Sequence, residues 1–239
     1  MKNIVRASAG LLLALSCAAL AHAQATCSSD GQPRPVAVLE RFISADCEAC
    51  WGESNTPAPS AQSAALAIDW IVPTAAGDDA PLSAAATSDA LARLQALGRS
   101  VPTRSDVHIA TTEAPAPGRL RVAHGLPFND YLGAAISLTP LRGGSQRGTS
   151  EGPWTFNLLM VESIPAGAEG TVVSRNVVRN LLQGTWEGRN KLSKKEHSDW
   201  KEIRPMRIPE GSKPERLRMV GWVQDAQGRM VAAAQSACR

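Results

Sequence analysis

An apolar strand pattern that runs directly into a Cys-x-x-Cys pair constrains this chain more than any other part of its sequence. Residues 35–44, PVAVLERFIS, have the β-branched and aromatic composition of a buried strand. Cys47 and Cys50 follow almost at once. Gly52 and Pro57 come next, so a helix that begins at Cys47 is limited to a turn or two. The pair therefore lies just past the end of a strand, at the start of a short helix.

The spacing of these two cysteines suits thiol–disulfide exchange. A helix N-terminus stabilises the thiolate of the first cysteine, and the second cysteine can resolve a mixed disulfide. We therefore assign Cys47 as the candidate nucleophile and Cys50 as the candidate resolving cysteine, with protein thiols or disulfides as partners. Glu48 lies between them and works against formation of the thiolate. A local disulfide without a redox role has the same spacing, and the motif alone does not separate the two interpretations.

The first 23 residues have the three parts of a secretory signal peptide. Lys2 and Arg6 make a basic start, residues 7–20 form an apolar run, and the sequence AHA ends at Ala23 as a small-x-small cleavage site. The run is too short to span a bilayer, and no later segment is as apolar. We therefore expect a protein without a membrane span that is periplasmic or secreted after cleavage near Ala23.

Four cysteines remain after the leader, and an oxidising compartment favours their pairing. Cys47 and Cys50 are close enough in sequence to bridge each other. That leaves Cys27 near the mature start and Cys238 near the end, and we expect these two to form a structural disulfide. Other pairings of four cysteines are possible, and a bond from Cys27 to Cys47 or Cys50 would overturn this assignment.

Charge and histidine placement argue against two further classes of protein. The sequence has 25 Lys and Arg against 22 Asp and Glu, and without Lys2 and Arg6 the mature chain has 23 basic residues against the same 22 acidic ones. This balance excludes a general nucleic-acid binder. His108, His124 and His197 are scattered and lack the spacing of zinc ligands, so we expect no metal and no cofactor.

The remaining pattern changes along the chain from mixed to mostly β. A strand is predicted at residues 64–72 and a helix at residues 83–97 that Gly98 ends. A second helix is predicted from Ser174 to Gly184, on the stripe that starts with Val177 and Val178. The C-terminal strands are predicted at residues 119–123, 131–138 and 154–163, with a loop at 142–152 and a closing hairpin of residues 216–224 and 229–235.

This change of pattern divides the mature chain into two regions. Residues 24–117 contain the Cys-x-x-Cys pair, and residues 118–239 form a β-rich region with one helix. Residues 175–218 carry twelve basic and six acidic side chains. Such a bias fits an anion or an acidic partner, although a solvated face is its commoner cause.

Three segments in this order resemble parts of one known family. They are PVAVLERFISADCEAC at residues 35–50, GTVVSRNVVRNLLQGTWEG at residues 170–188 and MVGWVQDAQGRMVAAAQ at residues 219–235. The chain resembles the exported thioredoxin-like family called domain of unknown function 1223. The resemblance implies a thioredoxin-like N-terminal half, a β-rich C-terminal half and no established reaction. Trp51 stands where that family usually has Pro. Thioredoxin-like folds also place a proline loop opposite the cysteines, and Pro102 has the expected position along the chain.

These observations predict an α/β fold, with a thioredoxin-like N-terminal half and a β-rich, α+β C-terminal half. The expected function is thiol–disulfide exchange by an exported protein through Cys47 and Cys50. The alternative is a non-catalytic periplasmic binding or structural protein whose cysteines form only structural disulfides.

Overall fold

The computed structural model describes residues 27–60, 63–113, 118–140, 153–186 and 200–238. The predicted signal peptide and the predicted loop at residues 142–152 therefore lie outside the described residues. No helix of the described ranges is long and apolar enough to cross a membrane. The helices are α1 (Glu48–Trp51) and α2 (Ser88–Ala96). The strands are β1 (Cys27–Ser28), β2 (Ala37–Ser44), β3 (Ala65–Val72), β4 (Ser105–Thr111), β5 (Gly118–Phe128), β6 (Tyr131–Pro140), β7 (Trp154–Ile164), β8 (Arg175–Trp186), β9 (Trp200–Arg207), β10 (Leu217–Gln224), β11 (Met230–Gln235) and β12 (Ala237–Cys238).

These strands form two sheets. The five-stranded sheet has the order β12-β1-β5-β6-β9 and is antiparallel throughout. The seven-stranded sheet has the order β11-β10-β7-β8-β3-β2-β4. In it β3 is parallel to both β2 and β8, and the other neighbours are antiparallel. The seven-stranded sheet thus takes strands from both sides of the boundary predicted at residues 117 and 118.

The predicted α/β, thioredoxin-like fold class is wrong, because the protein is mostly β. The helix after the cysteine pair is only four residues long, and the chain from there to β3 contains no other helix among the described residues. Gly52 and Pro57 follow it and prevent a longer helix from covering the sheet. A large part of the core is instead closed by packing the second sheet against the first.

The helix predicted from Ser174 to Gly184 is also wrong, because these residues belong to β8. Val177 packs in the cluster around the cysteine pair, and Val178 packs in the cluster that includes α2. Adjacent apolar residues therefore reflect a sheet covered on both faces. A register shift leaves Arg179 without an opposite residue on β7. Across this bulge, Val177 and Val178 are separated from Leu181 and Leu182 by the same interval as apolar residues on one face of a helix.

The other predicted elements of the described ranges are confirmed with small changes of boundary. β2, β3, β5, β6, β7 and the β10–β11 hairpin lie where the apolar runs predict strands. The helix predicted at residues 83–97 begins later, at Ser88, because Thr87 caps it by accepting a hydrogen bond from the backbone N–H of Ala90. Gly98 follows this helix with a φ of 64°, in the left-handed region that favours glycine.

The core consists of three buried clusters, and one of them contains the cysteine pair. The largest lies between the two sheets and includes Val122, Ile136 and Phe156. The second packs α2 against the seven-stranded sheet. The third surrounds Cys47 and Cys50 with side chains from β2, β3, β7 and β8. The pair is therefore anchored against strands from both parts of the chain.

Candidate functional site

The turn that carries the cysteine pair is held by the two segments beside it. The backbone N–H of Ser44 donates to the carbonyl of Arg104 at 2.8 Å, and that of Ala45 donates to the carbonyl of Val72 at 2.9 Å. The backbone N–H of Cys47 then donates back to Ser44 at 2.9 Å. These bonds fix where β2 ends and where the first turn of α1 presents Cys47.

The two cysteines form a disulfide, and they differ in exposure. The Sγ atoms of Cys47 and Cys50 are 2.02 Å apart. Cys47 is 8% exposed, whereas Cys50 is fully buried. Cys47 is therefore the less buried residue of the pair. The roles of nucleophile and resolving cysteine stay predictions.

Arg175 holds the segment that follows the pair. Its Nη2 donates to the carbonyls of Trp51 at 3.0 Å and Glu53 at 2.8 Å. Its Nη1 donates to Thr56 Oγ1 at 2.6 Å, and its Nε donates to Thr171 Oγ1 at 3.0 Å. The guanidinium carbon also lies 5.6 Å from the centre of the Trp51 ring. One buried side chain of β8 thus replaces the restraint that a longer helix would give.

The same face of the sheet buries two arginines and one aspartate. Arg41 Nε donates to Asp69 Oδ1 at 2.8 Å, and Arg175 Nη1 lies 3.9 Å from the same oxygen. Burial raises the pKa of Asp69 above its usual range, and the two arginines act in the opposite direction. Burial likewise lowers the pKa of Arg175, which Asp69 opposes. The three groups make a buried cluster with an excess of positive charge.

Trp51 packs in the same buried cluster as the two cysteines. It is 5% exposed, and its indole Nε1 donates to the carbonyl of Glu169 at 2.6 Å. The carboxylate of Glu169 in turn binds Lys213 and Arg216, which lowers the pKa of Glu169. The turn before β8 is thereby attached to both α1 and the turn before β10.

The segment that contains Pro102 lies beside the cysteine turn. Arg104, two residues later, accepts the bond from Ser44, and its Nη2 lies 3.7 Å from Glu53 Oε1. A direct contact between Pro102 and the cysteines stays a prediction.

The second disulfide joins the ends of the described chain. Cys27 and Cys238 are opposite residues of β1 and β12, and their Sγ atoms are 2.02 Å apart. His124 of β5 is the neighbour of Cys27 on its other side. Burial lowers the pKa of His124, whose Nε2 is buried without a hydrogen-bond partner among the described residues.

His124 and the two sulfurs lie within 4.8 Å of one another. Both sulfurs belong to the disulfide, and metal ligation by cysteine requires thiolates. Sequence spacing did not predict this cluster, because only the pairing of β1 with β5 and β12 brings its members together.

Sequence reasoning assigned no role at the cysteine pair to Arg175, Thr171 or Glu169. Arg175 and Glu169 reach the pair's segment across more than a hundred residues of chain, and Thr171 accepts a hydrogen bond from Arg175. Arg175 was placed in a helix, which hid its direction, and nothing near it in sequence indicates its partners at Trp51 and Glu53.

The fold and its bonds define a two-sheet, mostly β protein with two disulfides. No protein-family model matches the chain, and no curated protein is significantly similar to it in sequence. The resemblance to a known family therefore rests only on the three segments quoted above.

Proposed function

We propose that this protein is exported and carries out thiol–disulfide exchange through Cys47 and Cys50, with protein thiols or disulfides as substrates. One observation carries the proposal: Cys47 retains some exposure at the start of α1, whereas Cys50 is fully buried. An exchanging pair needs one sulfur that a substrate can reach and a second that only its partner can reach.

Export is supported by two independent features. The first 23 residues have the composition of a signal peptide. Two disulfides fit an oxidising compartment, because cytosolic thiols are normally kept reduced.

The proposed step starts from the oxidised pair. A substrate thiolate attacks Cys47 Sγ, forms a mixed disulfide and displaces Cys50 as a thiolate, which takes a proton from solvent. The second thiolate of the substrate then attacks the substrate sulfur of the mixed disulfide. Cys47 leaves as a thiolate. The substrate dithiol loses two electrons and becomes a disulfide, and the cysteine pair gains them. The reverse sequence reduces a substrate disulfide.

Glu48 bears on the direction of this exchange. Its exposed carboxylate lies next to Cys47 and disfavours the thiolate that appears on reduction. We therefore expect a more reducing pair than one with a neutral residue at this position.

The test is the reduction potential of the Cys47–Cys50 pair, measured by alkylation and intact mass after equilibration in graded redox buffers. A midpoint between about −120 and −270 mV supports exchange, because thiol oxidoreductases span this range. A pair that stays oxidised below roughly −300 mV contradicts it.

A trapping experiment separates the roles of the two sulfurs. A Cys50→Ala variant leaves Cys47 as a thiol without its resolving partner. Its thiolate attacks a peptide that contains a disulfide and releases one peptide thiolate, so we expect the mixed disulfide to accumulate. The matched Cys47→Ala variant keeps only the buried sulfur and should accumulate none. Equal trapping by the two variants would contradict the assigned order of attack.

The second candidate function is a non-catalytic binding or structural protein with two structural disulfides. The low exposure of Cys47 and the packing of Trp51 beneath the pair favour it, because both restrict the approach of a folded substrate. A potential below roughly −300 mV together with no trapping would select this function.

A further inference from the structure

A cavity of about 310 Å³ lies where the ends of β7, β8 and β10 meet the two terminal segments of the described chain. We call it the Arg218 cavity. Pro59 and Ser60 border it on the side of the cysteine segment, and Gln235 and Ala237 border it on the side of the C-terminus. Its volume is at the lower end of the range for sites that bind small molecules.

The charges of this cavity have one sign. Arg175 and Arg218 line it, and none of the described residues that line it is acidic. Arg175 already directs its guanidinium to Trp51, Glu53, Thr56 and Thr171, so it adds charge rather than free donors.

Arg218 is different, because it lacks an acidic partner. Its Nη1 donates to the carbonyls of Leu217 at 2.7 Å and Glu215 at 3.1 Å. Within the described ranges it forms no ion pair, and no residue accepts a hydrogen bond from its Nε or Nη2. Nearby Arg216, in contrast, binds Glu169 Oε1 at 2.7 Å. Burial lowers the pKa of Arg218 with no acidic neighbour to oppose it.

The rest of the lining combines polar and apolar groups. Ser174, Gln32 and Gln235 supply a hydroxyl and two amides. Pro59, Pro165 and Ala237, which keep exposed surface, supply an apolar wall. A planar guanidinium with two free donor nitrogens matches the two oxygens of a carboxylate, and the apolar wall suits a hydrocarbon or aromatic body.

We propose that the Arg218 cavity binds a small organic carboxylate, with its anionic group on Arg218 and its apolar body against Pro59, Pro165 and Ala237. The site does not involve the sulfur atoms of Cys47 and Cys50, so it stands whether or not that pair exchanges electrons. Binding supplies the negative charge that a partly buried arginine otherwise lacks.

The test is calorimetric titration of the full mature chain with benzoate, with benzamide as the neutral analogue of the same shape. We expect benzoate to bind at least tenfold more tightly than benzamide. We expect Arg218→Gln to weaken benzoate binding at least tenfold, and the matched Arg216→Gln variant to leave it unchanged. Inorganic phosphate is titrated in parallel and should bind more weakly than benzoate, because it makes no use of the apolar wall.

Arg218→Lys keeps the charge and guards against a variant that loses its fold. We expect it to retain part of the benzoate affinity that Arg218→Gln loses, with unchanged circular dichroism in both. No binding of benzoate, equal binding of benzoate and benzamide, or full affinity in Arg218→Gln would overturn the proposal. Tighter binding of phosphate than of benzoate would overturn the class of ligand.

Discussion

The two disulfides join very different lengths of chain. Cys27 and Cys238 are 211 residues apart, whereas Cys47 and Cys50 are three residues apart. Loop-closure entropy assigns about 5 kcal/mol to the first bond and about 2 kcal/mol to the second. The long-range bond is thus explained by stability, because it ties β1 to β12. The local bond closes a turn that hydrogen bonds already hold, so loop closure explains less of its role.

Their surroundings differ as well. The long-range bond lies beside His124, a buried imidazole with an unpartnered Nε2. The local bond is packed against Trp51, and Arg175 holds the backbone that follows it. The first region joins two terminal strands, and the second is a turn held by a side chain of β8.

Removing the long-range bond should have the largest effect on stability. We expect the double variant Cys27→Ala with Cys238→Ala to lower the free energy of unfolding by about 5 kcal/mol, and Cys47→Ala with Cys50→Ala to lower it by about 2 kcal/mol. Guanidinium chloride unfolding of both double variants measures the difference. Equal losses, or the reverse order, would contradict the division of roles.

Arg175→Met should destabilise the region of the local bond by about 3 kcal/mol or more, because it leaves the carbonyls of Trp51 and Glu53 without this donor and removes one of the two arginines beside Asp69. We also expect faster alkylation of reduced Cys47 in this variant, which a general loss of stability in the terminal region would not give. Arg104→Met is the control, since its ion pair with Glu53 is exposed and contributes about 1 kcal/mol at most. Equal losses in the two variants would show that Arg175 is not the support.

The region of the long-range bond should be the more sensitive to acid. Burial lowers the pKa of His124, so the unfolded chain takes up this proton first as the pH falls. The stability from neutral His124 is complete above its usual pKa of about 6.5 and is lost as the pH falls toward the lower, folded value. We expect His124→Gln to reduce the slope of unfolding free energy against pH between about 7 and 5. An unchanged slope would indicate that other groups control it.

The smallest expected effect is on the potential of the local bond. Glu48→Gln removes an exposed negative charge next to Cys47, so we expect the reduction potential to rise on the order of 10 mV, with no change in unfolding free energy. Glu113→Gln is the matched control, because Glu113 is also exposed and its ion pair is with Arg229. A fall in potential, or the same rise in the control, would contradict the local electrostatic effect of Glu48.

Local patterns predicted several strands and the short helix correctly, although the predicted fold class is wrong. The apolar runs at β2 and β3 are buried almost along their whole length, so they stand out in the sequence. The β10–β11 hairpin is marked by its turn, with Gly228 at a φ of 77°. The short α1 follows from the breakers after it. These features depend only on neighbouring residues.

The candidate site was predicted only in part. Cys47 and Cys50 are recognisable from their spacing, and the structure brings them together in a bond. Arg175 was not recognised as a support, because its contacts depend on β8 being a strand beside β3. Arg218 has no local signal either, since its surroundings come from five other segments of the chain.

The sequence by itself determined the buried strand before the cysteine pair, the short helix and the closing hairpin, because burial period and turn chemistry act over a few residues. Only the tertiary structure decided that β8 is a strand, since consecutive apolar residues fit a helix stripe and a sheet buried on both faces equally well. It also decided that one sheet spans both parts of the chain and that Arg175 supports the pair. Those outcomes depend on which distant segments share a core, and no local pattern encodes that choice.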